Sequence, residues 1–328
     1  MNLNLHLIMN LSLNAHGSGP RTRRFAAACL GAALLAAPAP ARAAEAGTAF
    51  STPEAAVQAL ASAVRAANRA EFAVLFGDAA ERLVNPDTVQ GTSELAEFAA
   101  AFQTVNRLVV VSDTRRTLEV GTDGWPFPIP LVKSVGGWRF DTVAGADEIL
   151  NRRIGRNELA VLRVMRAYVQ AQREYASRDR DGDDVLEYAQ KLASSPGQTD
   201  GLFWSPEVNG EISPLGPLVA FAQREGYRPA PAAGGGQPQP FHGYLFKILA
   251  AQGAHAPGGK HRYVINGNMI AGFGLVAWPV EYGNSGIMTF IVNQQGRVYE
   301  KDLGAQTAQL AGKLKTFDPA PGWRLSAD

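Results

Sequence analysis

The sequence predicts an α+β chain of two domains. Helical spacing of apolar residues runs up to Phe102, strand-like alternation replaces it from Arg107, and a long two-striped amphipathic helix then precedes a second strand-rich region. At 328 residues, with 46% hydrophobic and 19% charged side chains, the chain is long enough to bury two cores.

An export signal stands ahead of these elements. Basic Arg21–Arg24 precedes the apolar run Phe25–Ala37, and Ala41-Arg42-Ala43 supplies the small-residue pattern of a cleavage site, with cleavage expected after Ala43. Pro38 and Pro40 end the apolar run after thirteen residues, too few for a membrane anchor, so no transmembrane segment is expected after cleavage. The reading is a periplasmic or secreted protein of a bacterial envelope. Cys29 is the only cysteine and leaves with the signal, which excludes disulfides and cysteine chemistry from the mature chain. Residues 1–43 also remove four arginines and no acid, leaving 27 basic against 30 acidic side chains. That formal −3 is too mild to point to nucleic acid or an anionic membrane as partner.

After a tether at 44–50, Ser51-Thr52-Pro53-Glu54 predicts a helix start with Ser51 as the hydroxyl cap, and Val57, Leu60, Ala61 and Val64 line one face. Phe72, Leu75 and Phe76 suggest a second short helix, and Leu95, Phe98 and Phe102 a third. Strands follow at 108–111, through Leu118 and Val120, and in a hairpin turning at Gly136-Gly137. Because Pro126, Pro128 and Pro130 cannot donate to a ladder, the first strand of that hairpin is expected at a sheet edge. Together these make an α+β domain at 51–154.

Gly155 is expected to interrupt the next helical segment and Asn157 to cap the long helix that opens a second domain, 155–304. Leu162, Met165, Val169 and Ala176 form one stripe of that helix, and Val161, Val164, Tyr168, Ala171 and Tyr175 form a second. So wide a stripe implies core packing on more than one side. A long loop at 194–240 carries one short helix near 215–225 and the flexible run 230–240. Strands then return, with a last hairpin turning at Gly296, and the tail 305–328 is expected to be peripheral.

Several strings together carry a family resemblance: DGWPFPIPLVKSVGGWRFDT (123–142), ILNRRIGRNEL (149–159), AQREYASRDRDGDDVLEYAQ (171–190), PFHGYLFKIL (240–249) and WPVEYGNSGIMTFIVNQQGRVYEKDLG (278–304). They closely resemble a bacterial family of exported proteins known as domain of unknown function 2950, over about Ser51 to Gly304. That family implies no reaction and no catalytic residue. The helices-then-sheet order of 51–154 is similar to nuclear-transport-factor-2-like (cystatin-like) domains. The helix, loop and strands of Asn157 to about Leu303 resemble pilin-like and pseudopilin heads, although the helix here lies mid-chain with no apolar N-terminal half.

Few motifs carry chemistry. Asp179, Asp181 and Asp183 hold positions 1, 3 and 5 of an EF-hand-like loop, with the Val185 carbonyl at position 7 and Glu187 at position 9. Asp184 replaces the glycine of position 6, and Gln190 replaces the bidentate glutamate of position 12. Two readings follow, a weak structural calcium site or a solvated acidic turn. His242, His255 and His261 survive signal removal without zinc-motif spacing, and His242 reads either as a catalytic base or as a satisfied structural histidine. Gly272-x-Gly274-x-x-Ala277 is followed by Trp278-Pro279 where a dinucleotide site needs a helix. Arg152, Arg153, Arg156, Arg163, Arg166 and Arg173 read as a solvated face pairing with Asp147, Glu148, Glu158 and Glu174 or, alternatively, as an anion or polyanion site. The leading expectation is a non-enzymatic binding or assembly component, partnered by an unknown envelope protein or polymer. The alternative is a hydrolase of cell-wall or extracellular polymer using His242 and acidic residues in an inter-domain cleft.

Overall fold

The computed structural model describes residues 47–66, 69–227 and 240–327. The signal segment 1–43, its cleavage site, and the run 230–240 apart from Pro240 lie outside the described residues. The chain divides into two compact units, residues 47–84 with 97–146 and residues 85–96 with 147 onward.

In the first unit, α1 (Pro53–Ala66) begins where the sequence places it, but Thr52 rather than Ser51 is the cap: its hydroxyl accepts the Ala55 N–H at 3.1 Å. Then come α2 (Arg69–Phe76), a 3-10 turn at Asp78–Leu83, and α3 (Thr88–Thr104), which ends in this unit. The strands β1 (Asn106–Ser112), β2 (Arg115–Val120), β3 (Trp125–Pro126), β4 (Leu131–Ser134) and β5 (Gly137–Phe140) form an antiparallel sheet in the order β1-β2-β4-β5, with β3 against β2. The prolines lie in and after β3, so β4 starts only after Pro130 and runs between two neighbours instead of at an edge. Phe76, Phe140, Phe127 and Phe98 pack ring against ring in the core at 5.3 to 6.2 Å between centroids, Phe98 and Phe127 stacked and the other two pairs edge to face.

The helix α4 (Thr142–Tyr175) is a single element of 34 residues. Asp141 caps it by accepting the Ala144 N–H at 3.2 Å, so Gly155 is no interruption and Asn157 is no cap. A Cβ at Gly155 would meet nothing within 4 Å. A mid-helix glycine costs about 1 kcal/mol against alanine, too little to break a helix whose two apolar stripes are buried.

Those stripes form the core of the second unit. Val161, Met165, Tyr168 and Ala171 are at most 1% exposed. After α5 (Gly216–Arg224) come β6 (Tyr244–Leu249), β7 (Ala251–Gln252), β8 (His261–Arg262), the hairpin β9 (Val264–Ile265) and β10 (Asn268–Met269), β11 (Gly274–Pro279), β12 (Met288–Asn293) and β13 (Tyr299–Asp302). Next are α6 (Thr307–Lys313), β14 (Thr316–Phe317) and β15 (Arg324–Leu325). The main sheet is antiparallel in the order β15-β13-β12-β11-β6. Strand alternation turns Leu275, Ala277, Phe290 and Val292 into the α4 core and Val276, Trp278 and Ile291 into a second cluster with Ala311 and Phe317. The tail is therefore not peripheral: Ala311 of α6 and Phe317 of β14 are at most 1% exposed. Among the described residues, no helix is long and apolar enough to cross a membrane.

Candidate functional site

Within the second unit, a buried polar network joins the 85–96 segment to α4 and to the start of β6. Phe241 and Tyr244 exchange both backbone hydrogen bonds, and the two residues between them, His242 and Gly243, have φ of 47° and 68°. That is the pattern of a tight hairpin turn with two left-handed central residues, and histidine is among the few side chains enriched there. A Cβ on Gly243 would approach the Ser285 side chain to 2.7 Å, so only glycine fits the second position. The turn presents the His242 ring, 7% exposed, to Gln90 and Glu225.

One carbonyl fixes every amide in this network. The Ser285 carbonyl can only accept, so it takes the Asn157 Nδ2 proton at 2.9 Å and leaves Asn157 Oδ1 to accept from Gln90 Nε2 at 3.2 Å. Gln90 Nε2 then donates its other proton to His242 Nδ1 at 3.1 Å, while Gln90 Oε1 accepts from Asn85 Nδ2 at 2.9 Å. The His242 ring proton therefore sits on Nε2, facing Glu225 Oε2 at 3.0 Å. Both ring nitrogens are committed, as in a satisfied structural histidine. Beside them Glu94 pairs with Arg156 and accepts from Asn85 at 3.2 Å. Burial pushes the Glu94 carboxyl up to about 7, outweighing the pull of Arg156. Burial likewise pulls the Arg153 guanidinium down to about 10, against the attraction of Glu94.

The network secures the chain just after α5 at two points. Glu225 bonds His242, and the Tyr227 hydroxyl donates to Asp87 Oδ2 at 2.6 Å. Asp87 is itself anchored, because its Oδ1 caps α3 through the Val89 and Gln90 N–H groups at 3.1 Å.

Beneath α5 lies an apolar pocket of about 240 Å³, bounded by Leu218, Val219 and Ala222 of α5, Val164 and Tyr168 of α4, Phe246 of β6 and Leu275 of β11. No residue of α5 is fully buried, although its sequence GPLVAFAQR is mostly apolar. Its inward face, from which Leu218 packs against the core, also borders this pocket. Gln223, Tyr227 and Tyr168 are the residues of the lining with polar groups, the Tyr168 hydroxyl donating to the Gly274 carbonyl at 3.0 Å, and no charged side chain belongs to it. A second pocket of about 220 Å³ has Asp87 and Glu281 in its wall, but Asp87 is doubly engaged as described and Glu281 Oε2 accepts from Asn284 at 2.7 Å.

Residues 47–325 match the family profile described as "Protein of unknown function (DUF2950)". The chain belongs to this family. No curated protein and no solved structure matches it.

In this family member the acidic loop leaves the end of α4 and is closed by Gln172, whose amide exchanges hydrogen bonds with the Ala189 backbone at 2.9 Å. Carboxylate oxygens of Asp179, Asp181 and Asp183 lie within 4.8 Å of one another, and all three residues are exposed. Asp184, at the position where the loop type calls for glycine, has a φ of 63° and so makes the same left-handed turn. Glu187 does not join the three aspartates: its Oε2 accepts the Met269 N–H at 3.0 Å, and Gln190 donates to the Gly267 carbonyl at 2.6 Å. Backbone N–H groups of Gly182 and Asp184 hold the Asp179 carboxyl low, whereas desolvation and then the Asp183 charge push Asp181 up. These carboxylates fit a hard cation in donor type, and the position-12 side chain contributes nothing to them. Sequence reasoning missed Gln90, Glu94, Asn157 and the α5 pocket, since their partners lie 62 to 152 residues away and no local pattern marks them.

Proposed function

We propose that the chain is an exported, non-enzymatic binding component of the bacterial envelope, and that its ligand inserts an apolar group into the pocket beneath α5. The pocket carries this reading. The pocket is half-open, so its apolar walls face water, and an apolar occupant that covers them gains about 25 cal/mol for each Å² of apolar surface removed from water. The commitment of both His242 nitrogens favours binding over hydrolysis.

Further parts of the reading stand with it. Export rests on the n-region, apolar run and Ala-x-Ala site of residues 21–43. The helices-then-sheet order supports a nuclear-transport-factor-2-like first domain, and the helix-and-sheet layout a pilin-like second one. The gathered carboxylates of Asp179, Asp181 and Asp183 support a weak calcium site that stabilises the loop. To test the binding reading, the mature chain, Ala44–Asp328, is titrated with a naphthalene dye whose emission reports an apolar environment. Saturable one-to-one binding that Ala222→Phe abolishes, with the circular dichroism unchanged, supports it. No saturable binding, or equal binding by the variant, sinks it.

A further inference from the structure

We infer that the open edge of the first unit's sheet is a self-association surface, on which β1 of a second copy pairs antiparallel about a two-fold axis through Leu108. The two edges of that sheet differ. At one, β5 has four residues, and its Trp138 exchanges backbone hydrogen bonds with Phe50 at 2.7 Å in both directions. At the other, β1 runs for seven residues and pairs only with β2 among the described residues. An uncovered edge is a template for another strand, and native chains blunt it with proline, lysine or an inward charge. The sequence of β1, NRLVVVS, has neither proline nor lysine, and its one charge, Arg107, is held by Glu119 of β2 with Arg107 Nε at 3.2 Å. Val110 and Val111 are 68% and 57% exposed.

Hydrogen bonding shows which backbone groups of β1 are on offer. The Val105 carbonyl accepts the Gly121 N–H at 2.9 Å, while the carbonyl of Leu118, which lies opposite Leu108, accepts from Phe127 on the far side of β2 at 2.7 Å. Alternation therefore turns the N–H and C=O groups of Arg107 and Val109 toward β2, and those of Asn106, Leu108 and Val110 outward. A bulge between Val110 and Ser112 ends the regular run there. Any extended strand satisfies such groups, but the match of the run to itself selects a second copy. Asn106–Val110 is centred on Leu108, so antiparallel pairing about Leu108 joins every outward group: Leu108 faces Leu108, Val109 faces Arg107 and Val110 faces Asn106. No like charges meet in this register. The register that sets Arg107 against Arg107 leaves Val110 without a partner in the run. Because Phe50 closes the β5 edge, pairing through this sheet stops at two copies. A five-residue strand contact is smaller than the roughly 800 Å² per partner of a stable complex, so the dimer is weak, with a Kd above about 1 μM.

Sedimentation velocity of the mature chain, Ala44–Asp328, from micromolar to millimolar concentration reads the association. A monomer–dimer equilibrium is expected. Val110→Lys, at an exposed position, should raise the Kd about tenfold or more with the circular dichroism unchanged. Signal removal leaves no cysteine, so Leu108→Cys carries the sole thiol of its chain. Hydrogen-bonded antiparallel pairs hold opposed Cα atoms about 5.5 Å apart, within disulfide reach, so mild oxidation should link this variant into dimers. Thr117→Cys, on β2, should stay unlinked. A chain that is monomeric at every concentration overturns the proposal and leaves the edge to an extended segment of another protein. A dimer that Val110→Lys leaves intact, equal cross-linking through Thr117→Cys, or growth beyond two copies overturns it as well.

Discussion

The two faces of the β15-β13-β12-β11-β6 sheet are closed in different ways. On one, α6 spans seven residues and presses Ala311 to full burial above Val276 and Ile291. On the other, α4 supplies the buried stripe, and α5, which borders a pocket beside it, spans nine residues of more apolar sequence and buries none of them fully. Composition alone would rank the two helices the other way. What separates them is how the flanking chain is anchored: Glu225 and Tyr227 bind polar groups on His242 and Asp87, which fixes the end of α5 where a pocket remains beneath it. A helix held by polar contacts at its end is free to leave apolar space below.

That contrast is open to direct attack. The largest effect belongs to the closed face, where Phe317→Ala should cost about 3 to 5 kcal/mol in urea unfolding, while Leu218→Ala on the pocket face should cost about 1 kcal/mol. Equal losses would mean that the two faces are packed alike. Next in size is the anchor. His242→Ala strands the Gln90 amide and strains a left-handed position, for about 1 to 2 kcal/mol, and should speed amide exchange at Ala222–Tyr227. His242→Asn, which tolerates the positive φ, should recover part of the stability but not the slow exchange; recovery of both would show that backbone geometry alone holds α5.

Glu94 tests the network from another side. Its folded-state carboxyl, near 7, lies above the ordinary value of 4.5, so the native state binds the proton more tightly than the unfolded chain. Its contribution to stability is therefore fully present below about pH 4.5 and is lost as pH rises through about 7. Urea midpoints between pH 4.5 and 8 should carry that downward slope, and Glu94→Gln should flatten it; an unchanged slope in the variant would assign the dependence to other groups. The smallest effect lies away from both faces, in the acidic loop. Millimolar calcium, but not magnesium, should add about 0.6 kcal/mol to the mature chain, an increment lost in Asp181→Ala and kept in Ala222→Phe. Absence of any calcium shift would leave Asp179–Glu187 as a solvated turn.

Much of this was legible locally. The start of α1, the Gly136-Gly137 and Gly296 turns, the short α5 and the twin stripes of α4 all follow from spacing and turn chemistry. The misreadings share a cause. Asn157 looks like a cap because its side chain is of the capping type, yet it spends its hydrogen bonds on Gln90 and on a carbonyl 128 residues away. The tail looks peripheral because nothing in its own spacing reveals that Ala311 and Phe317 complete a sheet face. The acidic loop was visible because its carboxylates are neighbours in sequence, whereas the pocket depends on elements that meet only in the folded chain.

The measurement that bears most directly on the central claim is the thermal midpoint of Ala222→Phe against the unaltered mature chain. A pocket that is open beneath α5 accepts the larger side chain, so the midpoint should hold or rise. A fall of several degrees, as when bulk is forced into a filled core at about 1 to 3 kcal/mol, would contradict the account.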